Sequence, residues 1–243
     1  MDKSQNSTEG TAPVVYNWSV PKYIRLVENT QNPTLREFEQ VELDYLLNKI
    51  ANPQNKTFID VGAGYGRVLP HIAPPRTRNI IAVEISDSMF SQLQKRASQY
   101  PNVVAIKGDA NNLSQLLNGF DIQYPVVLSL QNSLGTWEED SLKAIDEMRR
   151  VAENGKGELI ISLFKQEALK SRGVDMYRSL EALVGEIDWE RTDFEKGIFR
   201  TKKGYLSHWR TKEEREKIRE VLGGQLVALV EHPGFSILHI AYN

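Results

Sequence analysis

The stretch Thr57–Arg67, TFIDVGAGYGR, constrains this chain more than any other. A short apolar run, Phe58 to Val61, carries one acid, Asp60, and then breaks into Gly62, Gly64 and Gly66 before helix-forming residues resume. That order reads as a buried strand turning into a helix through a glycine-rich loop. Glycines let the backbone turn tightly and approach a ligand closely, and the free N–H groups that open the following helix point above the strand end. The stretch therefore predicts an α/β sheet with a nucleotide-like ligand at its strand tips. Plain connectors also use glycine, so spacing matters. The dinucleotide fingerprint G-x-G-x-x-G needs its third glycine at position 67, where Arg67 stands, and the third glycine here is Gly66. An oxidoreductase is disfavoured.

The pattern D-x-G-x-G-x-G, met by Asp60, Gly62, Gly64 and Gly66, resembles motif I of the class I S-adenosylmethionine-dependent methyltransferases. Two more acids follow at the intervals such a fold needs. Asn79–Ile85, NIIAVEI, is an apolar strand with Glu84 near its carboxyl end, and Val103–Lys107 leads into Gly108-Asp109-Ala110. Neighbouring strand tips in an open α/β sheet share one ligand crevice. The resemblance implies S-adenosyl-L-methionine as cofactor. Gly62, Ala63 and Gly64 would admit it, Asp60 would act near its methionine amino group, and Glu84, with Ile85 beside it, would hold the ribose. Met89 would lie against the adenosine, and Asp109 with Ala110 would recognise adenine. Each acid has an alternative as a cap or loop charge, and Met89 as core packing.

The rest of the chain alternates helix and strand. Leu35–Ile50 places apolar residues at helical spacing, Val68–Ala73 continues a helix that Pro74-Pro75 stops, and a helix over about Asp87–Gln99 starts at a Ser86 or Asp87 cap. Beyond Asp109 come a short helix over Asn111–Asn118, an apolar strand over Tyr124–Leu130, a helix over Trp137–Val151 and a strand over Glu158–Phe164. Thr211 with Glu214 forms a capping box for a helix that ends at Gly223-Gly224. Gln225–Glu231 and Phe235–Tyr242 flank Pro233-Gly234, the centre of a type II turn, as a closing hairpin. The expected fold is a doubly wound, Rossmann-like, seven-stranded, mostly parallel sheet with a terminal antiparallel hairpin and a helix and hairpin cap insertion. Residues 1–34 read as a disordered start and N-terminal lid, 35–165 as the cofactor-binding core, 166–210 as the cap, and 211–243 as the helix and hairpin that complete the core.

The lid, a short helix around Lys22–Glu28 opened by Pro21, offers Tyr16, Trp18, Tyr23 and Arg25 as pocket-wall candidates, or as a plain cover for the core. The fourth strand ends in LQNSLGTW, where the resemblance places Gln131 toward the cofactor and Asn132 toward the substrate. The segment lacks the N-P-P-[YF] pattern of methyltransferases acting on exocyclic base amines or glutamine amides. In the cap, Trp189–Arg200 and Gly204–Arg210 read as a hairpin across Thr201–Lys203. Lys196, Arg200, Lys202, Lys203, Arg210 and Lys212 make it basic, either as a wet outer face or as a pocket for an anionic substrate. Tyr205 and Arg210 are the substrate candidates, and His208 or Tyr16 the general bases a hydroxyl or carbon nucleophile would profit from.

Composition excludes other classes. Zero cysteines rule out disulfides, thiolate catalysis and cysteine metal sites, and His71, His208, His232 and His239 lack the i, i+4 spacing of a metal motif, so no metal is expected. A net charge of −2 gives no global attraction to nucleic acid. No apolar run approaches the roughly 20 residues of a membrane span, and the polar start MDKSQNSTEGTAP lacks a signal's apolar region, which points to the cytoplasm. The expected function is methyl transfer to a small-molecule nitrogen or oxygen nucleophile. The alternatives are a non-catalytic cofactor- or partner-binding protein of the same fold, a methyltransferase of RNA or protein, and an NAD-dependent or nucleotide-sugar oxidoreductase.

Overall fold

The computed structural model describes residues 19–73, 76–137 and 141–243. The strands are β1 (Thr57–Val61), β2 (Asn79–Glu84), β3 (Val103–Lys107), β4 (Val126–Ser129), β5 (Glu158–Phe164), the short pair β6 (Ile198–Arg200) and β7 (Leu206–His208), β8 (Gln225–Glu231) and β9 (Phe235–Ala241). Seven of them form one sheet in the order β3-β2-β1-β4-β5-β9-β8, and β6 and β7 make a separate hairpin. β1 to β5 pair in parallel, while β9 runs antiparallel to both β5 and β8. The order reverses direction beside β1, which leaves a crevice above the carboxyl ends of β1, β2 and β4.

The helices are α1 (Val20–Tyr23), prolonged by a π-helical turn over Ile24–Glu28, α2 (Pro33–Lys49), α3 (Leu69–Ile72), α4 (Asp87–Ala97), α5 (Leu113–Leu116), α6 (Ser141–Asn154), α7 (Gln166–Ala168), prolonged by a π-helical turn over Leu169–Gly173, α8 (Val174–Ser179), α9 (Glu181–Val184) and α10 (Lys212–Leu222). Their starts are chemically specified. The Asn32 side chain accepts from the N–H groups of Thr34 and Leu35, Ser86 Oγ accepts from Met89 N–H, and Thr211 and Glu214 satisfy each other in a capping box.

Strand alternation sorts side chains onto two faces. Phe58, Ile80, Ala82 and Val126 pack in the cluster that holds Phe38 and Leu46 of α2 and Leu93 of α4. Ile59, Val61, Ile81 and Val83 pack on the opposite face with Ile145 and Met148 of α6 and Ile218 of α10. Both faces are covered, which is why the central strands read as nearly continuous apolar runs.

The structure shortens several expected elements. The helix after the glycine loop is only the four residues of α3, because residues 64–68 form a run of turns first. The region 111–118 splits into a tight turn and α5, the region 166–186 into α7 to α9, and the cap strands shrink to three residues each. Strand pairing around Pro233-Gly234 is as expected, but the turn is not type II. Gly234 lacks the left-handed φ that type requires. Its N–H donates instead to His232 Nδ1 at 3.3 Å, and its carbonyl accepts from Lys165 N–H at 3.1 Å. Tyr16, Trp18 and the Pro74-Pro75 stop lie outside the described residues. Among the described residues no helix is long and apolar enough to cross a membrane.

Candidate functional site

A cavity of about 670 Å³ opens above the tips of β1, β2 and β4 and runs under the cap. Register brings its acids together. Asp60 of β1 sits opposite Ala82 of β2, so Glu84 stands two residues further along the same face, and Glu84 sits opposite Lys107 of β3, two residues before Asp109. Asp60, Gly62, Ala63, Gly64, Glu84, Ile85, Met89, Asp109, Ala110 and Gln131 all line the cavity. Ile85 stays 41% exposed at the rim, and Met89 packs with Val20 and Tyr65.

The glycine loop works differently from a phosphate cradle. The N–H groups of Gly62 and Ala63 both donate to Val83 O at 3.0 Å, Gly64 N–H donates to Glu84 Oε2 at 2.8 Å, and Gly66 N–H donates to Ala63 O at 2.9 Å. Those donors are spent, so this loop offers shape rather than an anion site. Gly62, Gly64 and Gly66 all have positive φ. A side chain at Gly62 would crowd Ser133, while at Gly64 nothing lies within 4 Å and a Cβ would project into open space.

The electrostatics favour a cation. Glu84 takes Gly64 N–H on one oxygen and Ser86 N–H on the other, each at 2.8 Å, yet burial still raises its pKa. Asp60 is pushed up to about 7 by burial, with Arg67 opposing and Glu84 and Glu42 adding to the rise. Asp109 accepts from Asn111 N–H at 2.9 Å, and Asn111 Oδ1, also in the cavity wall, has no protein partner.

A buried charge network that no local sequence pattern announces lies behind this wall. Arg67 Nη2 meets Glu42 Oε2 at 2.6 Å, with Arg67 8% and Glu42 1% exposed. Burial works against the guanidinium charge, but Glu42 and Glu39 outweigh it and hold its pKa above the usual value. Glu42 also accepts from Gln131 N–H at 2.6 Å and from Ser162 Oγ. Glu39 accepts from Gln131 Nε2 at 3.0 Å and is pushed up to about 7 by burial, Arg67 opposing. Arg67 Nη1 has no protein partner and its residue lines the cavity. The available signal was Glu42 itself, a carboxylate among Phe38, Tyr45 and Leu46 on the apolar face of α2.

Three expectations for substrate and catalysis are corrected. Asn132 does not line the cavity. It is 1% exposed, its Oδ1 accepts from Phe164 N–H at 3.1 Å, and its Nδ2 reaches Ser207 Oγ at 3.3 Å, so it pegs the cap to β5. Arg210 is held behind the wall by Leu134 O at 3.2 Å and Ser141 Oγ at 3.1 Å. His208 turns away to pair with Glu214 at 3.1 Å, because alternation along β7 directs it toward α10. Tyr205 and Tyr23 do line the cavity, whereas Arg25 is exposed. The basic surface fails as an anion pocket. Lys196, Lys202 and Lys212 pair locally with Asp193, Glu186 and Glu216, and no basic residue of this hairpin is in the cavity wall.

Residues 58–157 match a family model described as a methyltransferase domain. No curated protein matches the chain. Among solved structures, the PH0226 protein from Pyrococcus horikoshii OT3 is similar with a TM-score of 0.62 at 18% identity, over 92% of this chain and 96% of that one. Magnesium protoporphyrin IX methyltransferase from Synechocystis PCC 6803, with bound SAH, gives 0.60 at 14%, over 92% and 94%. The 1,6-didemethyltoxoflavin-N1-methyltransferase from Burkholderia thailandensis gives 0.55 at 12%, over 91% and 86%. At such identities the likeness is one of fold, and it extends across the cap as well as the core.

Proposed function

We propose that this chain, whose residues 58–157 match a methyltransferase-domain model, is a class I S-adenosylmethionine-dependent methyltransferase that transfers the cofactor's methyl group to a nitrogen or oxygen nucleophile of a small molecule held under the cap. One observation carries the reading: a single cavity joins an acid-lined crevice at the strand tips to a chamber walled by α8, α9 and Tyr205 of the cap.

The crevice fits the cofactor on its own chemistry. Spent loop donors and three carboxylates disfavour a pyrophosphate and suit a ligand with cationic groups. Of the unpartnered polar atoms on residues of the cavity wall, Arg67 Nη1 suits a carboxylate as a donor and Asn111 Oδ1 suits an amine as an acceptor. Asp60 would face the amino group, Glu84 the ribose hydroxyls, and Asp109 with Asn111 the adenine. When bound, the sulfonium supplies an already electrophilic methyl carbon. What the protein adds is alignment of the nucleophile and exclusion of water. Burial drives the Tyr177 phenol well above its ordinary pKa and pushes Tyr205 up to about 12, so both keep their protons at neutral pH. The chamber orients rather than deprotonates, which favours an acceptor atom that attacks through a lone pair it already has.

Isothermal titration with S-adenosylmethionine, S-adenosylhomocysteine and NAD tests the reading, followed by transfer of labelled methyl to a metabolite panel. Binding of both sulfur ligands without NAD, then labelled product, is expected. Preference for NAD would overturn it, and cofactor binding with no transfer to any acceptor would favour the non-catalytic alternative.

A further inference from the structure

The half of the cavity beneath the cap is walled by Phe164, Met176, Tyr177, Leu180, Leu183 and Tyr205, all buried and none charged. The phenol oxygens there are turned on protein groups. Trp209 Nε1 donates to Tyr177 Oη at 2.9 Å, and hydrogen bonds link Tyr177, Tyr205 and Ser207. The rings are fixed as flat plates. Tyr177 stacks on Phe199 with centroids 3.7 Å apart and planes 15° apart, and Phe164 stacks on Trp209 at 4.4 Å. Arg67, the cation of the cavity wall, belongs to the crevice and is bound to Glu42.

An anion entering this chamber would give up its water and meet no countercharge, and a strongly polar molecule would find few open partners. A planar apolar body would instead gain the area of several aromatic faces. Resting on the methyl-transfer reading above, we propose that the acceptor is a neutral molecule with a flat, largely apolar body, aromatic or comparably conjugated, that presents one polar nucleophile toward the crevice. The chamber selects by shape and by lack of charge, and the basic outer face of the hairpin takes no part.

A naphthol and the corresponding naphthoate, alike in ring and different in charge, test this on the wild-type chain saturated with S-adenosylhomocysteine, with binding followed by calorimetry. The naphthol should bind about tenfold or more tightly than the naphthoate. Leu180→Trp, which fills the chamber, should abolish naphthol binding and leave S-adenosylhomocysteine affinity unchanged; Leu183→Phe serves the same purpose if the first variant does not fold. Naphthoate binding as well as naphthol, naphthol binding that survives filling, or neither ring binding to a protein that holds S-adenosylhomocysteine overturns the proposal and leaves methyl transfer standing. Failure to hold S-adenosylhomocysteine at all overturns the methyl-transfer reading and this inference with it.

Discussion

The two halves of the cavity are built by opposite means. The crevice is made by backbone: strand register and three positive-φ glycines set where Asp60, Glu84 and Asp109 stand, within one stretch of about fifty residues, 60–109. The chamber is made by side chains gathered from β5, α8, α9 and the segment before β7, and its character is volume and apolar surface. Backbone geometry tolerates little change and fixes one ligand. Side-chain packing can be varied wall by wall, and so it is the half that decides the acceptor.

Gly64→Val attacks the backbone half directly and should have the largest effect. The position has φ +58° and open space where a Cβ would project, so the substitution strains the turn and fills the crevice. Cofactor affinity should fall by about 3 kcal/mol or more, roughly a hundredfold, while ring binding in the chamber suffers much less. Equal losses in both halves would erase the distinction between them. Glu84→Ala probes the same half through a side chain and should weaken cofactor binding by about 1.5–3 kcal/mol, the range for hydrogen bonds to a charged group. Unchanged affinity in a folded variant would remove the ribose assignment.

Asn132→Ala tests the junction between the halves. It leaves the buried Phe164 N–H without its acceptor and frees the cap from β4, so stability to denaturant should drop by about 1–3 kcal/mol. Acceptor affinity should fall with it, and cofactor affinity should hold. A drop in cofactor affinity as large as the acceptor's would make the cap part of the crevice.

How much of each half could be read in advance follows the same division. The motif around Asp60 and the acids Glu84 and Asp109 were legible because strand ends and glycine turns leave local patterns, and one face per strand fixes where each acid points. Arg67 was legible only as a break in the dinucleotide spacing. Its partner Glu42 lies 25 residues earlier, and nothing local joins them. The family resemblance points Asn132, and the basic hairpin points Arg210, toward a substrate, yet both bond to the frame around Leu134, Phe164 and Ser207. The chamber was least legible, since stacking of Tyr177 on Phe199 joins two weakly patterned segments.

Acidity distinguishes the halves next. Asp60, held near 7 by burial, is protonated below that value in the free protein. A cationic ligand end favours the ionised form, so binding below pH 7 must expel a proton. Affinity should fall about tenfold, or 1.4 kcal/mol, per unit as the pH drops below 7, and level off above about 8. Asp60→Asn should flatten that slope, and a slope steeper than one proton would bring in Glu39, also near 7. In the free protein the sign runs the other way: its folded-state pKa lies above the ordinary 3.8, so Asp60 makes the fold less stable as pH rises from about 4 toward 7. Ring binding in the uncharged chamber should show no such dependence.

The smallest effect is expected at His208. Sequence alone makes it a candidate base, being a histidine among aromatics in the cap. Its ring meets Glu214 at 3.1 Å, and the pair is partly open to solvent, 19% and 36% exposed. Burial works against the Glu214 charge, but His208, the Thr211 N–H and Arg210 together hold its carboxyl below the usual range, so the pair ties β7 to the first turn of α10. His208→Ala should therefore cost about 0–1 kcal/mol of stability and leave the rate of methyl transfer and both affinities within about twofold. A large fall in turnover with unchanged cofactor binding would place the ring in the chemistry after all. It would also mean that the cap moves in the working enzyme, since in this arrangement His208 faces α10 and the wall of the chamber lies on the other side of its strand.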